Sequence, residues 1–103
     1  MTEIGLQYRA YSTSDATTAA TVWETRTKRL ILHGLVISTG TAGTITLYDE
    51  NDTLIVVYLA ANGGFIWNNE NGVKLRDTGN SLKVKHSAAG NIAVTAIGKE
   101  IVD

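Results

Sequence analysis

The run RLILHGLVIS, residues 29–38, decides how the rest of the chain is read. Leu30, Leu32 and Val36 fall on one parity, and Ile31, Leu35 and Ile37 on the other. Successive side chains of a strand point to opposite faces, so a half-buried strand is apolar on one parity only. This one is apolar on both. Such a strand is either central and covered twice, or covered once by its own core and met on the far face by another subunit. In a two-sheet sandwich only one face meets the core, which makes Leu30, Leu32, Leu35 and Ile37 candidates for a contact between copies. The run TLIVVYLAA, 53–61, sets Leu54, Val56 and Tyr58 against Ile55, Val57 and Leu59, and the last three join the interface candidates. His33, inside the first run, is expected to be a hydrogen-bonded structural histidine, because its sequence neighbours offer no convergent partners for a metal or for catalysis.

Outward from these runs the chain is strands and corners. Ile4, Leu6, Tyr8, Ala10 and Ser12 alternate with Gly5, Gln7, Arg9 and Tyr11, the pattern of a half-buried strand. A small, polar stretch leads to a short strand near residues 20–24, where Trp23 is expected to pack in the core. STGTAGT, 38–44, supplies a reversal, and TITLYD, 44–49, alternates Thr44, Thr46 and Tyr48 outward with Ile45 and Leu47 inward. ANGG, 61–64, breaks the second apolar run, FIW, 65–67, adds a short aromatic strand, and NNENG, 68–72, is another corner. Gly63-Gly64 is no phosphate loop, because no helix follows to present its N-terminus.

In VKLRDTGNSLKVKHS, 73–87, a hairpin with Thr78-Gly79 at its tip sets Leu75 opposite Leu82, Val73 opposite Val84 and Lys74 opposite Lys83. Val73, Leu75, Leu82, Val84 and His86 then share one face, and Lys74, Arg76, Lys83 and Lys85 form a basic patch on the other. That patch is either solvated or set against an acidic partner or phosphates. A last strand covers residues 92–97. The acidic run Asp49-Glu50-Asn51-Asp52 has the length and chemistry of a β-turn, since Asp and Asn side chains bond nearby backbone groups and tolerate positive φ. A calcium loop requires a glycine and a distal glutamate that are missing here.

Fourteen Thr, ten Gly and seven Asn favour strands and turns, and no segment favours helix. The expectation is all-β: a single-domain β-sandwich, residues 1–103, of eight or nine short antiparallel strands in a jelly-roll-like arrangement. A chain of 103 residues buries roughly two-thirds of its unfolded surface, enough for one core. No cysteine is present, which excludes disulfides, cysteine-based zinc sites and thiol nucleophiles. No proline is present either, so the usual guard of edge strands is missing. A net charge of −1 removes the general attraction to nucleic acid or anionic membrane, and neither is expected as a partner. The start carries no basic and apolar leader pattern, and a soluble chain made in the cytoplasm is expected.

No nucleophile elbow, zinc-protease motif or P-loop occurs. His33 and His86 could meet across a sandwich with Asp49 or Asp77, but nothing in the spacing requires it. No enzyme activity and no cofactor are expected.

YRAYSTSDAT, then RLILHGLVISTGTAGTITLYD, a late NGVKLR and a closing NIAVTAIG together resemble the small β-sandwich virion proteins of tailed bacteriophages. The resemblance spans most of the chain and carries no active-site residues. It implies a capsid decoration or head-tail accessory role in the virion, after synthesis in the bacterial host cytoplasm. It further implies a cyclic homo-oligomer, trimer or pentamer, that contacts other virion proteins. The alternative is a carbohydrate- or receptor-binding module using Trp23, Trp67 and Tyr48 as stacking platforms.

Overall fold

The computed structural model describes residues 5–102. Eight strands follow one another: β1 (Gln7–Thr13), β2 (Ala20–Trp23), β3 (Arg29–Thr39), β4 (Gly43–Asp49), β5 (Asp52–Leu59), β6 (Gly64–Lys74), β7 (Leu82–His86) and β8 (Ile92–Ile101). They form two antiparallel four-stranded sheets, ordered β1-β8-β3-β6 and β2-β7-β4-β5. The first strand pairs with the last, the second with the seventh, the third with the sixth and the fourth with the fifth. This is one long hairpin wound across two sheets, the jelly-roll arrangement.

A bulge resolves the double parity of residues 29–38. Leu32 lies opposite Gly98, and Gly34 lies opposite Ile97, so His33 is one residue in excess of the β8 partner. An extra residue reverses the face of everything that follows it. Leu30 and Leu32 point inward before the bulge, and Leu35 and Ile37 point inward after it, all four at most 1% exposed. They meet Ile45, Leu47, Leu82, Val84 and Val94 in one core. The expectation that these four form a contact between copies is therefore corrected: each one is in the core, where its burial contributes about 1.5–3 kcal/mol.

β5 contains a similar slip. Leu47 pairs with Ile55 and Tyr48 with Thr53, leaving Leu54 in excess. Ile55, Val57 and Leu59 face inward opposite Leu47, Ile45 and Gly43. Because β5 ends its sheet, they are only half-buried, while Val56 and Tyr58 on the outer side are 45% and 81% exposed.

Two further expectations change. The hairpin over residues 73–87 does not form: Val73 and Lys74 complete β6 opposite β3, whereas β7 pairs with β2 and β4 in the other sheet. Residues 75–81 cross between the sheets. The facing was right, with Leu75, Leu82, Val84 and His86 buried and Val73 half-buried, but the partners were not. In β1, the inward residues are Arg9, Tyr11 and Thr13, paired with the buried Ala96, Val94 and Ile92. Leu6 and Tyr8 stay exposed, and Ile4 lies outside the described residues.

Candidate functional site

The acidic run closes the β4–β5 hairpin through the two-residue loop Glu50-Asn51, with Glu50 at φ 56°. Its carboxylates hold the crossover 75–81 against that hairpin. Asp49 accepts hydrogen bonds from the Arg76 backbone N–H at 2.7 Å and from Asn80 Nδ2 at 2.8 Å. Glu50 Oε1 accepts the Ser81 N–H at 2.8 Å, its own N–H donates to the Ser81 carbonyl at 2.8 Å, and its Oε2 meets Lys83 Nζ at 3.0 Å. Asp52 pairs with the Arg76 guanidinium at 3.0 Å. The Ser81 N–H first, and Lys83 beside it, hold the Glu50 carboxyl below its ordinary range. Carboxylates engaged in this way fasten the crossover and β7 to the β4–β5 hairpin, and among the described residues no group of three or more acidic or histidine side chains is placed to hold a metal ion.

The four basic residues do not form one patch. Lys74 sits on the outer face of the β1-β8-β3-β6 sheet, opposite Ile31. Lys83 and Lys85 are on the outer face of the other sheet, and Lys83 and Arg76 are drawn to Glu50 and Asp52. The aromatic residues separate as well. Trp23 is 1% exposed with the Arg9 guanidinium 4.6 Å above its ring. Trp67 faces inward beside Leu35. Of the three candidate stacking residues only Tyr48 lies on an outer face, in a shallow depression of about 430 Å³ with Thr44, Thr46 and Lys85.

Both histidines serve the fold. His86 is fully buried; its Nδ1 accepts the Ala88 N–H at 2.9 Å, which places the ring proton on Nε2, 3.0 Å from both the Thr41 carbonyl and Thr39 Oγ1. His33, at the bulge, places Nδ1 3.2 Å from the Asn69 carbonyl. A surface depression of about 660 Å³ is lined by Ser12, Ser38, Asn62, Asn91 and their neighbours, with no titratable side chain. Nothing in it can transfer a proton near neutral pH.

Two surfaces remain, of which sequence reasoning missed the first and named part of the second through Ile55, Val57 and Leu59. On the outer face of β1-β8-β3-β6 the registers set three rows side by side: Tyr8, Ile97, Gly34 and Asn68; Ala10, Thr95, Val36 and Ile66; Ser12, Ala93, Ser38 and Gly64. None of these residues is charged, and Tyr8, Val36 and Ile66 are 71%, 41% and 69% exposed. The second surface is the side of the sandwich where β5 and β6 end their sheets. Leu54, Ile55, Val57, Leu59, Phe65 and Trp67 are the partly buried apolar residues there. A cavity of about 250 Å³ opens among Leu32, Leu54, Ile55, Trp67 and Val73. The parity inversion at the bulge is the signal that reveals the first surface, since it leaves Val36 and Ser38 on the outside.

No family model matches the sequence, and no curated protein is significantly similar to it. Among solved structures, the fold is similar to a protein of Bacillus endospore appendages, described as disulfide-linked pili. The two are 16% identical with a TM-score of 0.50 over 96% of this chain and 88% of that one. A virus-like particle of the extra small virus of the giant freshwater prawn Macrobrachium rosenbergii is 11% identical, with a TM-score of 0.45 over 100% of this chain and 84% of that one. The capsular polysaccharide assembling protein CapF of Staphylococcus aureus is 12% identical, with a TM-score of 0.43 over 90% of this chain; the chain spans only 24% of the CapF length. At such identities the likeness is one of fold.

Proposed function

We propose that this chain is a non-catalytic structural subunit that works by self-association in a larger assembly. The three uncharged rows on the outer face of β1-β8-β3-β6 carry this reading, because they expose Tyr8, Val36 and Ile66 together, and clustered exposed apolar side chains mark interaction surfaces. Charge depletion at the centre of a patch is also the compositional mark of an interface. The similarity to a pilus protein of the same fold fits a role of this kind. Lacking cysteine, however, this chain must hold its neighbours by packing and not by disulfides. The finer reading, a virion component of a tailed bacteriophage with a decoration or head-tail accessory role, rests on the sequence resemblance. With Leu30, Leu32, Leu35 and Ile37 inside the core, we place the closure of a cyclic trimer or pentamer at the outer face, its number set by the rotation between neighbours.

A carbohydrate-binding role has less to work with, since Trp23 is covered and Trp67 points inward. Light scattering at micromolar concentration tests the proposal. An oligomer that dissociates when Ile66→Glu places a carboxylate in the middle row is expected. A wild-type monomer of 11.0 kDa overturns it.

A further inference from the structure

We infer that β5 is a second self-contact, pairing antiparallel with β5 of another copy about a two-fold axis at Val57. The inference rests on the self-association proposed above and says where one of its contacts lies.

The four sheet-edge strands are not equally protected. β2 has four residues and a register slip after Thr21. β6 is interrupted at residues 69–72, where Asn69 Oδ1 accepts the N–H groups of Asn71 and Gly72 at 3.0 and 3.1 Å. β1 turns the charge of Arg9 inward over Trp23. Short length, bulges and inward charges are the devices that stop edges from pairing. β5 has a bulge at Leu54 but beyond it runs regularly from Ile55 to Leu59, with no charge, proline or glycine.

That regular segment is symmetric about Val57. A two-fold axis there sets Val57 opposite itself, Ile55 opposite Leu59 and Val56 opposite Tyr58 of the other copy. Its inner row extends the half-buried Ile55, Val57 and Leu59 into a core shared by two sandwiches, and its outer row forms two aromatic–β-branched pairs of a stabilising type. The nearest charge, Asp52, lies beyond the paired segment and is engaged by Arg76, so no like charges meet across the axis. A hydrophilic or charged partner strand would leave the inner row and the neighbouring cavity uncovered, whereas a second copy covers both. Joined with a cyclic contact through the outer face, a two-fold contact of this kind produces a dihedral assembly.

The test uses Val57→Cys in a chain with no other cysteine. Paired residues across an antiparallel ladder have Cα atoms about 4.5–5.5 Å apart, within disulfide range. Mild oxidation should therefore give mostly cross-linked dimer for V57C and little for Tyr58→Cys, which faces position 56. Tyr58→Lys, at a site 81% exposed and so neutral for the fold, should raise the dissociation constant about tenfold by removing two cross-strand pairs. Wild-type oligomers with V57C uncross-linked and Y58K unaffected overturn the β5 contact while leaving the assembly reading intact. If V57C does not fold, the Y58K measurement decides alone. A monomeric wild type overturns both.

Discussion

β3 and β5 are written alike and folded differently. Both are apolar at both parities, and both contain a one-residue slip. In β3 the slip falls at the centre of an eleven-residue strand flanked on both sides, so it turns two half-patterns into one continuous inward row. In β5 it falls near the start of an edge strand, and the residues beyond it keep two sides, one half-buried and one open. Sequence pattern alone therefore does not distinguish a central strand from an edge strand. The position of the strand in its sheet and of the bulge in the strand does.

Adding a second offset after the β3 bulge is the most severe way to break this comparison. Inserting one alanine between Gly34 and Leu35 turns Leu35 and Ile37 outward while Leu30 and Leu32 stay in, whereas deleting His33 would leave all four inward in a regular strand. The loss from the insertion should exceed the about 2–5 kcal/mol of any single core leucine truncation and leave the chain unfolded by circular dichroism. A cooperative thermal transition in the insertion variant would show that the offset does not set the facing. Next in size, Leu35→Ala should cost about 2–5 kcal/mol in urea unfolding, because the side chain is fully buried. Val57→Ala, half-buried on β5, should cost clearly less in the dilute monomer. Equal losses would erase the distinction between the two strands.

The bulge also depends on its neighbour β6. Gly72 has φ +78°, and a Cβ there would collide with Ile31 Cγ2 and sit 2.9 Å from His33 Cε1. Gly72→Ala should therefore destabilise by about 1–3 kcal/mol through left-handed strain and the clash. No change in the midpoint of denaturation would mean that β3 does not need this close approach.

How far the sequence could be read follows the same division. Alternation and corner chemistry gave the all-β sandwich and the position of nearly every strand, since both are local. The turn at residues 49–52 was read correctly for the same reason. The bulge had a local trace as well: Gly34 interrupts an apolar run at the point where parity changes, and a strand glycine often marks a bulge. Strand partners had no such trace. The self-consistent register proposed for residues 73–87 failed because it assumed that neighbouring segments pair. β3 and β4 instead offered each flank a partner in a different sheet. Nor could sequence show that Asp49 and Glu50 would reach Arg76, Asn80 and Ser81, some thirty positions ahead.

The smallest predicted effect separates the two strands by what fastens them. β3 is fixed by uncharged packing, which does not respond to acid, whereas the hairpin carrying β5 is fastened partly by the Glu50 carboxylate. With the folded pKa of Glu50 below its ordinary value of 4.5, the unfolded chain binds more protons in the window between the two values. Its contribution to stability is therefore complete above the ordinary value and is lost as pH falls through the lower folded value. Glu50 is 35% exposed and solvent screens its pair with Lys83, so the contribution is at most about 1 kcal/mol. Glu50→Gln should remove that part of the acid-side slope when urea midpoints are compared from pH 6 to pH 3, while Leu35→Ala should lower the whole curve without changing its shape. An unchanged slope in E50Q would mean that the hairpin is held by its backbone pairing and by Asp49, with the Glu50 charge contributing nothing.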